Sequence, residues 1–272
     1  MKLLFIGDVV GRPGREAVKA CLADLVRRHQ VDFVVANGEN AAGGMGITSQ
    51  VAEDLFEAGV DVLTTGNHVW RQKEAIAYLE AEPRVLRPAN YPPGAPGRGG
   101  EVFQTEHTGS IGIVNLQGRT FMEPIDCPFR AADSELERIR GRTKVILVDV
   151  HAEATSEKIA MGWYLDGRVS AVLGTHTHVQ TSDERILPKG TAYITDAGMT
   201  GPLDSILGVK PNLIIQRFLT GMPAKFELAE GPLLLGGVLV RIDTETGSAI
   251  SIERVVQFVP AQPSKPAPGK GQ

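Results

Sequence analysis

Two of the chain's six histidines stand two residues apart, in Gly174-Thr175-His176-Thr177-His178. They follow an apolar run, residues 169–173, that reads as a buried strand. In an extended segment, residues two apart point to one side. Both imidazoles would then face one space, as two metal ligands must. Alone, the pair reads equally as two solvated loop histidines. Four further segments repeat the pattern of a short apolar run followed at once by a possible ligand. Residues 2–7 run into Asp8, and residues 33–38 into Glu39 and Asn40. Residues 62–66 run into Asn67 and His68, and residues 145–150 into His151. In open α/β sheets, ligands bind beyond the carboxyl ends of the strands, so five such ends make one site.

The set holds one aspartate, one glutamate, two amides and four histidines. A serine hydrolase would need an activated nucleophile, and no Gly-x-Ser-x-Gly elbow is present. A single catalytic zinc takes about three protein ligands, fewer than are offered here. The set suits two ions that share a bridging carboxylate and acidify a water. Mixed imidazole, carboxylate and amide ligands favour iron, manganese or zinc over magnesium or calcium, and of these iron or manganese is the expected pair, with zinc possible. Two such ions ~3.5–4 Å apart suit in-line attack on phosphorus.

These residues need an alternating scaffold to bring them together. Helices are expected over residues 16–29, 49–58 with Thr48 as N-cap, 72–80, 132–140 and 156–164. Residues 101–105 and 111–116 read as a hairpin. Residues 191–195, 237–242 and 249–258 read as later strands. The class is α/β, a sandwich with strands inside and helices outside. Residues 202–232 fit the sheet poorly and are expected, together with 117–130, to form a small cap or subdomain on a 1–259 domain. Residues 260–272, rich in Pro, Gly and Lys, lack apolar side chains to bury and are expected to be disordered. The loop Gly11-Arg12-Pro13-Gly14-Arg15 could offer backbone N–H groups and two guanidinium groups to an anion. Trp70, Tyr91 and Phe121 could stack on a base, although aromatics near loops more often pack.

Bulk properties narrow the partners. A net charge of -4 and a pI near 5.9 provide no basic field for a long polyanion. No segment reaches the ~18 apolar residues of a membrane span. Cys21 and Cys127 make no disulfide framework, so a reducing cytoplasm is the expected compartment.

In order along the chain, the motifs resemble those of the calcineurin-like metallophosphoesterases. That pattern has an aspartate after the first strand, a bridging acid after the second, and Gly-Asn-His after the third. A lone histidine and a His-x-His pair follow. Here Asp8, Glu39, Gly66-Asn67-His68, His151 and His176-Thr177-His178 match it. Asp8-Val9-Val10 lacks the usual histidine of the first motif, Glu39-Asn40 replaces the usual bridging aspartate, and Val69 replaces an acid. With these departures the chain is similar to the bacterial YmdB-type branch, which hydrolyses 2′,3′-cyclic nucleotides. The resemblance implies a metallophosphoesterase sandwich and two transition-metal ions. One ion would take Asp8, Glu39, Asn40 and His178, the other Glu39, Asn67, His151 and His176. It leaves His68 free as a general acid, with in-line attack by a hydroxide held on the ions. The implied substrate is a 2′,3′-cyclic nucleotide or another small phosphodiester, RNA-derived ones included. A homo-oligomer with no membrane association is expected. Two rivals stand beside this reading: a phosphomonoesterase or protein phosphatase with the same site, and a metal-dependent regulatory protein with little turnover.

Overall fold

A computed structural model describes residues 1–259; the tail expected over 260–272 lies outside the described residues. The first strand, β1 (Lys2–Ile6), shows how the layers are set. Leu3 and Phe5 enter a core between two sheets, while Leu4 and Ile6 enter a second core beneath helices. Alternate side chains of a strand point to opposite faces. A strand covered on both faces therefore reads as one unbroken apolar run.

β2 (Asp8–Val9) follows, then α1 (Gly11–His29). This helix starts at Gly11 rather than 16, because Pro13 falls in the first turn, where its missing N–H costs nothing. β3 (Phe33–Asn37), α2 (Ser49–Glu57), β4 (Val62–Thr64), α3 (Ala75–Ala81) and β5 (Val85–Leu86) continue the chain. Thr48 caps α2 as expected, its hydroxyl accepting from the Val51 N–H at 3.2 Å. Strands β1, β3, β4 and β5 pair in parallel.

The second sheet opens with the expected hairpin of β6 (Gly100–Gln104) and β7 (Ser110–Gln117). Next come α4 (Pro128–Ile139), β8 (Ile146–His151), α5 (Thr155–Leu165) and β9 (Ala171–Thr175). β10 (Arg185–Ile186) and β11 (Ala192–Ile194) complete it, in the order β10-β11-β9-β8-β7-β6. The chain then returns to the first sheet through β12 (Met199–Pro202), α6 (Pro211–Thr220), β13 (Leu233–Ile242) and β14 (Ala249–Val259). That sheet runs β2-β12-β13-β1-β3-β4-β5, with β14 added on β13.

The architecture is the expected α/β sandwich, and its β layer is double. Phe5, Val35, Leu147, Leu173 and Val238 fill the space between the sheets. Val18, Leu22 and Leu55 pack α1 and α2 on one outer face, and Leu136, Met161 and Leu165 pack α4 and α5 on the other. Within 202–232, α6 buries only Ile214 and leaves Phe218 and Leu219 exposed. Among the described residues, no helix is long and apolar enough to cross a membrane.

Candidate metal centre

The carboxyl ends of β1, β3 and β4 meet those of β8 and β9 at one rim of the sandwich, and all eight strand-end residues gather there. Glu39 is the middle of the group. It is 1% exposed, and its two oxygens face different neighbours. Oε2 lies 3.1 Å from His151 Nε2 and accepts the His68 backbone N–H at 3.2 Å. Oε1 accepts from the Asn40 side-chain amide at 3.1 Å and lies 3.3 Å from His68 Nδ1.

On the Oε2 side the donors crowd together. His151 Nε2 is 3.1 Å from Asn67 Oδ1 and 3.0 Å from His176 Nδ1. Ligand-type atoms of Glu39, His151 and His176 all lie within 4.8 Å of one another. Gly66 makes this possible: a Cβ there would run into the His151 ring and the Glu39 carboxylate. On the Oε1 side the Asn40 amide nitrogen lies 3.1 Å from His178 Nε2, and its oxygen 2.8 Å from His68 Nδ1. Asp8 Oδ2 accepts the His176 N–H at 3.0 Å. Asp8 Oδ1 and His178 Nδ1 are buried without a hydrogen-bond partner, although buried polar atoms are nearly always paired. His178 Nε2 stands 3.8 Å from that Asp8 oxygen.

The electrostatics suit a cation. Burial pushes the Glu39 carboxyl up, but His151 and His68 outweigh it and hold Glu39 well below the usual range. Burial drives the His151 imidazolium down, yet Glu39 and Asp8 lift it to about 9. The Glu39–His151 pair thus shares a proton where a cation would displace it. Burial, with the charge of His151, lowers His176 to about 3, leaving a neutral imidazole. Orphaned oxygen, converging nitrogens and the absence of a Cβ at Gly66 together fit a transition-metal site.

The backbone route to the histidine pair differs from an extended strand. β9 ends at Thr175, and His176 and His178 take left-handed φ values of 93° and 64°. The two rings therefore go to opposite sides of Glu39 instead of sharing one strand face. A buried ion pair holds this turn. Asp196 accepts from Lys158 Nζ at 2.8 Å and from the Thr177 N–H at 3.1 Å. A second buried carboxylate, Asp149, joins the sheets. It accepts from Asn37 Nδ2 at 3.0 Å and Thr175 Oγ1 at 2.8 Å, and also from Thr64 Oγ1. Thr175 Oγ1 in turn stands 2.9 Å from His151 Nδ1, fixing the ring. Sequence reading passes over Asp149, Thr175 and Lys158; the one available signal is a lone acid inside the apolar run before His151. Glu153, 3.0 Å from His176 Nε2, is likewise missed.

The anion cradle expected after Asp8 does not form. The Gly11 and Gly14 N–H groups bond to the Asn40 and Val10 carbonyls. Arg12 pairs with Glu16 at 2.7 Å, and Arg15 holds the Ala41 carbonyl at 2.6 Å. The centre opens instead into a cavity of about 830 Å³. Asn40, His68 and His178 line one side, and Met45, Leu207, Val209 and Leu228 form an apolar wall. Three of those four come from residues 202–232. Trp70 and Tyr91 pack edge to face at 5.4 Å rather than facing this space. Of the remaining histidines, His107 is solvated, with an 83% exposed side chain.

Comparison with known proteins gives concordant matches. A family model described as YmdB-like protein matches residues 4–255. A Bacillus subtilis protein named 2′,3′-cyclic-nucleotide 2′-phosphodiesterase is 51% identical over 256 residues, 94% of this chain and 97% of that protein. A crystal structure of a hypothetical protein from Thermus thermophilus superposes with a TM-score of 0.89 at 48% identity, covering 96% of this chain and 100% of that one. A Mycoplasma pneumoniae structure described as a novel phosphatase gives 0.89 at 36% identity, covering 96% and 94%.

Proposed function

The chain belongs to the YmdB-like family, and from that premise we propose that it is a dinuclear metal-dependent phosphodiesterase opening 2′,3′-cyclic nucleotides to nucleoside monophosphates. The observation that carries the reading is Glu39, whose two carboxylate oxygens face two separate donor sets. Asp8, Glu39, Asn40 and His178 would hold one ion; Glu39, Asn67, His151 and His176 would hold the other. Two iron or manganese ions there would acidify a water and offset charge on the phosphoryl oxygens.

The chain's own groups supply the rest. Thr175 and Glu153 fix the rings of His151 and His176. His68 is set by Nδ1 against Asn40, and its Nε2 has no hydrogen-bond partner among the described residues. Its side chain is 21% exposed and lines the large cavity. With Nδ1–H held by the Asn40 oxygen, Nε2 carries a proton only in the imidazolium, and in that form it can give the proton to the departing ribose oxygen. The apolar wall offers a surface for the base and excludes water around it. The relative from Bacillus subtilis, by its name, supports the choice of a 2′,3′-cyclic substrate. The strain of a five-membered cyclic phosphate means that its opening needs less help from the protein.

The test is kcat/KM on 2′,3′-cyclic nucleotides, 3′,5′-cyclic nucleotides and 5′-monophosphates, with manganese- or iron-loaded protein. The first class should be hydrolysed fastest. A clear preference for monoesters would make the protein a phosphatase, as the description of the Mycoplasma pneumoniae structure suggests for that relative. No turnover on any class with both ions bound would favour a regulatory protein.

A further inference from the structure

Two cavities flank the centre, and both reach His176. The larger lies on the His68 side. The smaller, about 420 Å³, lies on the Asn67 side and is walled by Phe121, Met122 and Glu123. A cyclic mononucleotide carries one nucleoside on its phosphorus and needs only one of these spaces. The second has room for another nucleoside.

The wall of the smaller cavity is a built turn. The Gly118 N–H donates to the His151 carbonyl at 3.0 Å, tying the turn to a residue of the centre. The Glu157 carboxylate accepts from the Arg119 and Thr120 N–H groups, each at 3.0 Å. The Met122 N–H closes on the Arg119 carbonyl at 3.2 Å. Phe121 stands at the tip with φ 62° and is 88% exposed. Left-handed backbone is uncommon for a bulky residue, and a phenyl ring held in water forgoes its burial. Such a conformation beside a reactive centre points to a role there. An exposed ring can stack any base, which strengthens binding by roughly five- to a hundredfold.

We propose that the centre also hydrolyses a linear phosphodiester with a nucleoside on each side, with Phe121 stacking the base on the Asn67 side. This inference rests on the phosphodiesterase reading of the same centre. The substrate class is a short oligonucleotide, the smallest being a dinucleoside monophosphate. A long strand needs a cationic track, whereas this chain is net acidic and places Glu123 and Glu153 on the cavity walls. In the reaction a water oxygen bonds to phosphorus. The bond from phosphorus to one ribose oxygen breaks, and that oxygen keeps the electron pair and takes a proton. The products are a nucleoside and a nucleotide monoester.

The experiment compares metal-replete wild type, Phe121→Ala and Phe121→Tyr on adenylyl-adenosine and on adenosine 2′,3′-cyclic phosphate, with native mass measured for each. Phe121→Ala should lower kcat/KM for the dinucleotide about tenfold, mainly through KM. Phe121→Tyr should restore it, and the cyclic substrate should change less than about twofold. Equal losses on both substrates, no loss on the dinucleotide, or no dinucleotide turnover by wild type would overturn the proposal. A change of native mass in Phe121→Ala would overturn it too, making the ring a subunit contact. Wild-type turnover of the dinucleotide with the expected Phe121 effect, but none of the cyclic substrate, would support this inference and reject the cyclic-nucleotide reading.

Discussion

The two sides of Glu39 are built differently. Around His151 the atoms are packed and partnered: Asn67, His176 and Glu39 all lie within 3.1 Å of one ring nitrogen. The other ring nitrogen rests on Thr175, which Asp149 holds in turn. Around His178 the arrangement is looser. Asp8 Oδ1 and His178 Nδ1 lack partners, His178 Nε2 meets the Asn40 amide at 3.1 Å but stands 3.8 Å from Asp8, and the large cavity opens beside them. In the proposed centre, the first would be a fixed metal seat and the second the side that opens to substrate. Groups that hold a ligand from behind raise metal affinity by about 10- to 100-fold, so the fixed side should bind more tightly.

This difference can be attacked residue by residue. His151→Ala should have the largest effect, because it removes the imidazole at the middle of the fixed side and the closest ring partner of the buried Glu39 carboxylate. Metal on that side should be absent and turnover at background; retention of full metal content would show that His151 only packs. His68→Ala should keep both ions yet lose ~10²–10⁴-fold in kcat on a ribose leaving group. An activated aryl diester, whose phenolate leaves without a proton, should lose less, and equal losses would make His68 a positioning residue. His178→Ala should be mildest, weakening the ion on its own side by at least the ~10- to 100-fold that loss of a supporting outer group costs while the His151-side ion stays. Metal titration of the two alanine variants decides the order; a greater loss in His178→Ala than in His151→Ala would reverse the comparison.

The residues that gather at the rim are legible in the sequence because each follows an apolar run, and Thr48 announces its helix by its side chain alone. Features that depend on distant partners were not. The double β layer is hidden because strands buried on both faces, such as β1 and β8, show no alternation. The turn at His176 and His178 is set by the Lys158–Asp196 pair, which comes from two other segments. Asp149 reads as an interruption of a strand until Asn37 and Thr64 arrive from the opposite sheet. The apolar wall of the large cavity comes mostly from residues 202–232, whose position no local pattern encodes. The N–H groups after Asp8 looked available for an anion, but the carbonyls of Asn40 and Val10 take them.

In the proposed centre one carboxylate, that of Glu39, joins two ions. Metal content per chain, with anomalous scattering to locate each ion, tests this in wild type and in Glu39→Ala. Two ions are expected in wild type, one on each side of Glu39, and neither in the variant. A single ion in wild type with Glu39 turned away, or two ions retained in Glu39→Ala, would contradict it.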